Sequence, residues 1–396
     1  MNTDRFKTVL NVLFVVFLAL PMLQKALRVV PEPVLSGVET RASRTHWSPA
    51  TWFTGKFARD FETRLGIKIG FRAYFVKLSN QVDYSLFGNI RGRRGTQIVV
   101  GKNNWLYENV YIDYYLKNPQ LPDDDLRRYA GGLARLQEAL EARGVVFVLL
   151  ISPSKVEIYP EYLPEDLREY RKGPRRKTIR QSFLPHLDEQ GVRYVDVHRL
   201  FKQIKPESDI LFPPQGTHWN YYGSLLACRE VVKQVNAAGF CSLPVPEVTS
   251  VKYLPALGSD NDLELLLNLL WFDKRRSPSV PYPEVAVEAA PLDERPDFLV
   301  VGDSFSFTVV DSIRYARLSR NVDLLYYNKR LYSYLAEETT DYAADHTAAE
   351  VGPVSELPPG WESRLADAEI VILEINEILL NKRGWGFVED TVSRLR

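Results

Sequence analysis

Residues Phe298 to Phe307 read FLVVGDSFSF. The apolar run Phe298–Val301 predicts a buried strand, Gly302 breaks it, and Asp303-Ser304 fall at the turn. Phe305, Phe307, Val309 and Val310 then open a helix. A strand, a tight turn and a helix put the residue after the strand at the carboxyl edge of a sheet, where α/β proteins bind their ligands. Two readings of Ser304 follow. It is a nucleophile, with the next helix supplying N–H groups to an oxyanion, or it shares with Asp303 the ordinary task of capping that helix.

Neighbouring stretches repeat the pattern. Asp123–Arg143 has helical spacing, with Leu126, Ala130, Leu133, Leu136 and Leu140 on one face, and Gly144 stops it. Val145–Ile151 follows as a strand without polar alternation, the mark of a parallel sheet buried on both faces. Helix Arg180–Glu189 precedes strand Arg193–Val197, and strands are expected again at Val322–Tyr326 and Ala368–Glu374. The fold expected is α/β, a doubly wound, mainly parallel sheet.

A serine nucleophile needs a base. The chain has five histidines, His46, His186, His198, His218 and His346. Only His218 lies in a turn rich in Pro, Gly and aromatics leading into a helix: Pro213–Gly223 reads PPQGTHWNYYG, and the helix runs over Tyr221–Ala237. Read alone, this histidine is equally a base or a helix-packing residue.

Taken together, THWN before a helix and GDSFS after a strand resemble the alginate O-acetyltransferase family of the AlgJ and AlgX types. These are SGNH-hydrolase-like proteins with the sheet order circularly permuted, so that the histidine precedes the serine. Val99–Tyr107 (VVGKNNWLY), Ile151–Pro164 (ISPSKVEIYPEYLP), Gly258–Leu263 and Ile370–Glu377 (IVILEINE) match the family as well, so the likeness runs over roughly residues 50 to 390. The resemblance implies an O-acyltransferase that acetylates an exported or cell-envelope polysaccharide. Ser304 would carry the acyl group and His218 would be the base. Asn376, by strand order, would donate to the oxyanion. The family commonly has Asp two residues before the histidine, and here that position is Gly216. Asp209 and Glu377 are the remaining candidates to orient His218, and a Ser–His dyad is the other possibility. The same residues would serve an acetylesterase, with water as acceptor. Gly216 also allows a non-catalytic scaffold of an exopolysaccharide complex. Beyond the chain, the resemblance implies a membrane-bound O-acyltransferase of the AlgI type as acetyl source, and an inner-membrane, periplasm-facing location. Neither a cofactor nor a metal is expected.

Composition narrows the classes further. Lys+Arg and Asp+Glu are 50 each in 396 residues, which argues against a nucleic-acid binder. Cys228 and Cys241 are either a disulfide or two free thiols, and no Cys/His cluster has zinc spacing. Val9–Leu23 is nearly all apolar, with Arg5 and Lys7 before it and Lys25 and Arg28 after. Fifteen residues span roughly 22 Å, and a helix over Phe6–Val30 closes the gap to a bilayer core. Without a small-x-small cleavage site it reads as an uncleaved signal anchor rather than a cleaved signal peptide, although basic residues flank both ends.

Residues 31–50 read as a linker, 51–110 as a helical and hairpin lead-in, and 111–396 as the catalytic domain with an insertion over 245–296. Thr51–Phe87 carries an apolar stripe at near-helical spacing, expected to pack on its own domain, with a membrane surface or a partner as the alternatives. Within the insertion Asp260–Phe272 is expected to be one apolar helix. Lys155 at a strand's carboxyl edge, with Trp219 and Asn220 beside the histidine, are candidate substrate contacts. The basic run Lys172–Arg180 is a solvated face, or a contact for an anionic polysaccharide.

Overall fold

The computed structural model describes residues 3–37, 45–88, 98–170, 176–272, 279–334, 349–356 and 367–395. The chain divides into two units, one of Met1–Gly95 and Glu264–Asp273, the other of Thr96–Leu263 and Lys274–Arg396.

In the first unit, helix α1 (Thr3–Leu27) contains a 22-residue stretch, Phe6–Leu27, long and apolar enough to cross a membrane. Helices α2 (Pro49–Phe53), α3 (Lys56–Lys68) and α4 (Arg72–Phe87) follow. The stripe expected to pack does not. No residue of α3 is buried, and α4 buries only Ala73 and Gln81. Helical periodicity shows that an apolar face exists; it carries no information about what covers that face. Part of the linker is tied down: the Glu32 carboxylate accepts the Phe71 and Ala73 N–H groups at the start of α4, and Tyr74 donates to the Pro31 carbonyl.

The second unit begins with an antiparallel hairpin, β1 (Ile98–Val100) and β2 (Leu106–Glu108). Then come α5 (Asn109–Lys117), α6 (Asp123–Glu141), β3 (Val146–Ser152), α7 (Lys155–Ile158), α8 (Glu165–Tyr170), α9 (Ile179–Glu189) and β4 (Tyr194–Asp196). They are followed by α10 (Val197–Ile204), α11 (Tyr221–Ala238), β5 (Glu247–Leu254), α12 (Asp262–Leu266), which runs on into the first unit, β6 (Val280–Ala286) and β7 (Phe298–Gly302). Helix α13 (Ser306–Tyr315), β8 (Val322–Tyr326), β9 (Arg330–Tyr334), β10 (Ala349–Pro353), β11 (Ile370–Asn376) and a C-terminal helix Phe387–Leu395 complete it. The helix expected over Asp260–Phe272 is broken: only Asp262–Leu266 is α-helical, and Asn268 turns left-handed at φ 47°.

The central sheet has strand order β10-β9-β8-β7-β11-β3-β4. From β8 to β4 the neighbours are parallel, and the β9–β10 edge is antiparallel. This is the doubly wound, mainly parallel sheet expected. Strands β3, β7 and β11 are buried along their whole length, as central parallel strands must be once helices cover both faces. One apolar cluster fills each side: Phe201, Trp219, Val231 and Phe305 belong to one, Leu133, Phe147, Phe183 and Phe387 to the other. The carboxyl ends of β7, β11, β3 and β4 line up along one edge, each with a polar residue at or just past its end. These are Ser304, Asn376, Ser152 and Asp196. Cys228 is buried and Cys241 half-buried, both as free thiols.

Candidate active site

Strand β7 ends on Gly302, where a Cβ would lie 2.0 Å from the Ser306 hydroxyl and 2.8 Å from Glu374. Only glycine lets the chain turn here. Asp303 then bridges the turn: its two oxygens accept the Phe305 N–H (3.0 Å) and the Asn376 N–H (2.9 Å). Asp303 thus holds the turn, and α13 takes no side-chain cap hydrogen bond. Ser304 is half-exposed between the buried Asp303 and Phe305.

The Ser304 hydroxyl oxygen is 2.8 Å from His218 Nε2. On the other side of the ring, Nδ1 lies 3.1 Å from the Asp262 carboxylate. Asp262 is fixed in turn by the Thr217 N–H, 2.9 Å from its other oxygen. The imidazole rests edge-on against Phe305, with ring centres 4.9 Å apart. Burial disfavours the charged ring, yet the adjacent Asp262, helped by Asp303 and Glu108, raises the His218 pKa above the ordinary imidazole value.

Asp262 was not a candidate from sequence, and Gly216 explains how it comes to be there. A Cβ on Gly216 would sit 2.8 Å from the Ser259 carbonyl and 2.9 Å from that of Asp260. The 258–263 segment occupies the space that a side chain at 216 would need, and presents Asp262 instead. The signal was visible as two coincident facts, a glycine where the family has Asp and a family-like GSDNDL segment nearby. Gly216 therefore no longer argues for a lost triad. The same segment buries Asp260 beneath the site, where Tyr282 donates to it (2.7 Å) and burial pushes its pKa up to about 7.

Other sequence candidates lie elsewhere. Asn376 points its amide at the Ser152 hydroxyl and the Pro153 carbonyl, both 3.2 Å, and its oxygen accepts the Ile378 N–H. It caps the turn after β11 and does not face Ser304. Glu377 is held by Ser154, by His198 Nδ1 (2.9 Å) and by Arg180 (3.4 Å), not by His218. Burial works against its charge, but His198 and Arg180 prevail and lower its pKa. Asp209 accepts the Tyr253 hydroxyl. None of the three orients His218.

Nor do the proposed substrate contacts face a ligand. The buried Lys155 Nζ lies within hydrogen-bond distance of four carbonyls, those of Leu106 (2.9 Å), Pro213 (2.7 Å), Pro214 (2.8 Å) and Gly216 (2.9 Å), which its N–H groups share. It staples the histidine turn, and burial drives its pKa well down. Trp219 is fully buried and donates to Thr308, and Asn220 caps α11 through the Gly223 N–H. Polarity next to a site is a poor guide to substrate because backbone groups need partners there too. Within the basic run, Arg180 is a buried ion pair with Asp196 (2.6 Å) rather than a solvated face; Lys172 and Arg175 lie outside the described residues.

Two further features were missed. Glu374, buried beneath the turn, accepts the Asp303 N–H and the hydroxyls of Ser152 and Ser306. Burial, with the neighbouring Asp303 charge, holds its pKa well up, and burial raises that of Asp303 as well. Tyr111 and Tyr327 feel the Asp303 charge; burial first, then that charge, keeps both phenols protonated and able to donate.

Comparison with known proteins identifies the family. Residues 98–375 match the family model described as SGNH hydrolase-like domain, acetyltransferase AlgX. The chain is 26% identical over 243 residues to the probable alginate O-acetylase AlgJ of Pseudomonas aeruginosa, covering 60% of this chain and 57% of that one. It is 25% identical over 187 residues to the corresponding Pseudomonas fluorescens protein, covering 47% and 44%. The matched region thus spans about half the length of these relatives. The O-acetyltransferase domain of Pseudomonas putida AlgJ superposes with a TM-score of 0.43 at 16% identity, over 76% of this chain and 99% of that domain. With a family model covering well over half of its residues, the chain belongs to the AlgX-type SGNH hydrolase-like acetyltransferase family.

Proposed function

We propose that the protein transfers acetyl groups to hydroxyls of an exported polysaccharide through a Ser304 acyl-enzyme. The observation that carries this reading is the relay Ser304 Oγ–His218 Nε2 at 2.8 Å and His218 Nδ1–Asp262 at 3.1 Å. In the first half-reaction Ser304 Oγ attacks the acetyl carbonyl as its proton passes to Nε2. The tetrahedral intermediate collapses, and His218 returns that proton to the departing donor group. In the second, a sugar hydroxyl gives its proton to Nε2 and attacks the acyl carbon, and Ser304 leaves reprotonated. Asp262 steadies the imidazolium formed in each half. The backbone N–H of Ser304 would be one donor to the oxyanion.

Helix α1 would anchor the chain in the inner membrane with the catalytic unit in the periplasm. A membrane-bound O-acyltransferase of the AlgI type would supply the acetyl group. Incubating the full-length protein with a chromogenic acetyl ester, alongside Ser304→Ala and His218→Ala, tests the pair. Release by the wild type and loss in both variants are expected; equal release by Ser304→Ala overturns the acyl-enzyme. Labelled acetyl recovered on an added oligosaccharide, rather than solely as acetate, separates transfer from hydrolysis by an acetylesterase.

A further inference from the structure

Helix α4 packs by one side, largely through polar contacts, and turns an apolar stripe outward on the other. Its inner side holds Ala73, Lys77, Asn80, Gln81 and Tyr84 against the segment 264–272. Lys77 donates to the Leu269 carbonyl and Asn80 to that of Leu267, Gln81 accepts the Trp271 N–H, and Tyr84 packs on Phe272. Phe75, Leu78, Val82 and Leu86 follow one another at three- and four-residue steps on the opposite side, and all four are exposed. In a helix lying on a water-facing surface that outer side is polar. Helix α3 repeats the feature: Phe57, Phe61 and Leu65 are spaced by four, Phe57 stacks on Phe61, and Phe61 and Leu65 are exposed. Just before it, Trp52 is 57% and Phe53 87% exposed. Scattered apolar side chains on a surface need no explanation, but two adjoining helices that each turn an apolar stripe outward do.

The position of these helices says what covers them. Gly70, at the corner between α3 and α4, donates its N–H to the Pro21 carbonyl near the end of α1. A Cβ there would lie 2.3 Å from that oxygen and 2.8 Å from the Lys25 nitrogen, so the corner is pressed against the last turns of α1. The strap from Glu32 to the start of α4 fixes the same junction. Both stripes therefore start at the level where an α1 spanning a bilayer would leave the hydrocarbon. Charge fits as well: residues 56–72 carry five basic side chains (Lys56, Arg59, Arg64, Lys68, Arg72) against two acidic ones (Asp60, Glu62). Apolar stripe, flanking Lys/Arg and tryptophan at the end is the composition of a helix that lies in the lipid interface.

We propose that α2, α3 and α4 form a platform seated in the headgroup–acyl boundary of a membrane containing anionic phospholipid. The platform rests on the reading of α1 as a membrane anchor. Its apolar side faces the acyl chains and its basic residues the phosphates.

The test reconstitutes the full chain into phosphatidylethanolamine–phosphatidylglycerol vesicles carrying a phospholipid with a photoactivatable acyl chain, and maps adducts by mass spectrometry. Adducts are expected on α1 and on the α3 and α4 peptides containing Phe61, Leu65, Leu78 and Val82. A full-length variant with all four changed to Ser should keep the α1 adducts and lose those on α3 and α4 at least tenfold. Replacing phosphatidylglycerol by phosphatidylcholine should lower the α3–α4 yield several-fold. Adducts on α1 without adducts on α3 and α4 overturn the platform and leave the anchor standing. Adducts on α3 and α4 without α1 support a lipid-facing platform and remove the anchor, whereas adducts on neither overturn both. Photolabelling in native membranes that yields protein cross-links at α3–α4 in place of lipid adducts also overturns the proposal, in favour of a docked protein.

Discussion

Two histidine–carboxylate pairs stand on the same edge of the sheet. His218 faces Asp262 at 3.1 Å and His198 faces Glu377 at 2.9 Å. By the pair distance alone, the second is the better formed. Their surroundings differ. Glu377 also accepts from Ser154 and lies 3.4 Å from Arg180, which is itself paired with Asp196, so the charges close on one another, and among the described residues no hydroxyl is hydrogen-bonded to the His198 ring. Asp262 meets the ring and the backbone of the histidine's own loop, and the far nitrogen of His218 faces Ser304. A buried ion-pair network shapes a structure; a base needs one nitrogen that faces a proton donor.

The contrast is broken most severely by truncating each histidine. His218→Ala should lower acetyl release by at least about 10³-fold, while His198→Ala stays within a few-fold of wild type. Comparable losses in the two would mean that the second pair is part of the chemistry. Next in size is Asp262→Asn, expected to cost about 10²–10⁴-fold in kcat/KM. It should also move the acid limb of the pH profile. His218 works as a base when neutral, so activity rises with pH through its pKa. The Asp262 charge raises that pKa, so removing it shifts the limb to lower pH. A slower enzyme with an unmoved limb would deny Asp262 its electrostatic role.

Lys155→Met should destabilise the fold by roughly 3–5 kcal/mol, read as a lowered denaturant midpoint, because four buried carbonyls lose their donor. Weaker substrate binding at unchanged stability would return Lys155 to the substrate. The smallest effect is expected from Glu377→Gln, about 1–3 kcal/mol of stability with the rate within a few-fold. A large rate loss there would erase the distinction between the pairs.

The sheet and the two stretches that meet in the candidate site were legible because strand-turn-helix steps leave a period and a breaker in the sequence, as at Phe298–Phe307 and Pro213–Gly223. Asp262 was not, since its partner is chosen by the packing of a distant insertion into the space above Gly216. Asn376, Lys155, Trp219 and Asn220 stand near the right edge, yet their polar atoms are spent on local backbone and neighbouring side chains. Residue type sets what a group can bind, and folding decides which neighbour reaches it first. The apolar stripes on α3 and α4 failed for a related reason: a period identifies a face without identifying its solvent.

The Lys155 ammonium has a consequence for the placing of the histidine turn. Its four oxygens come from the end of the first hairpin and from the histidine turn, and they surround it as a crown ether surrounds potassium. A macrocycle holds its cation only when it is closed. The ring around Lys155 joins three segments far apart in sequence, the hairpin, the loop after β3 and the histidine turn, so the position of that turn is set by tertiary contacts and not by its local sequence.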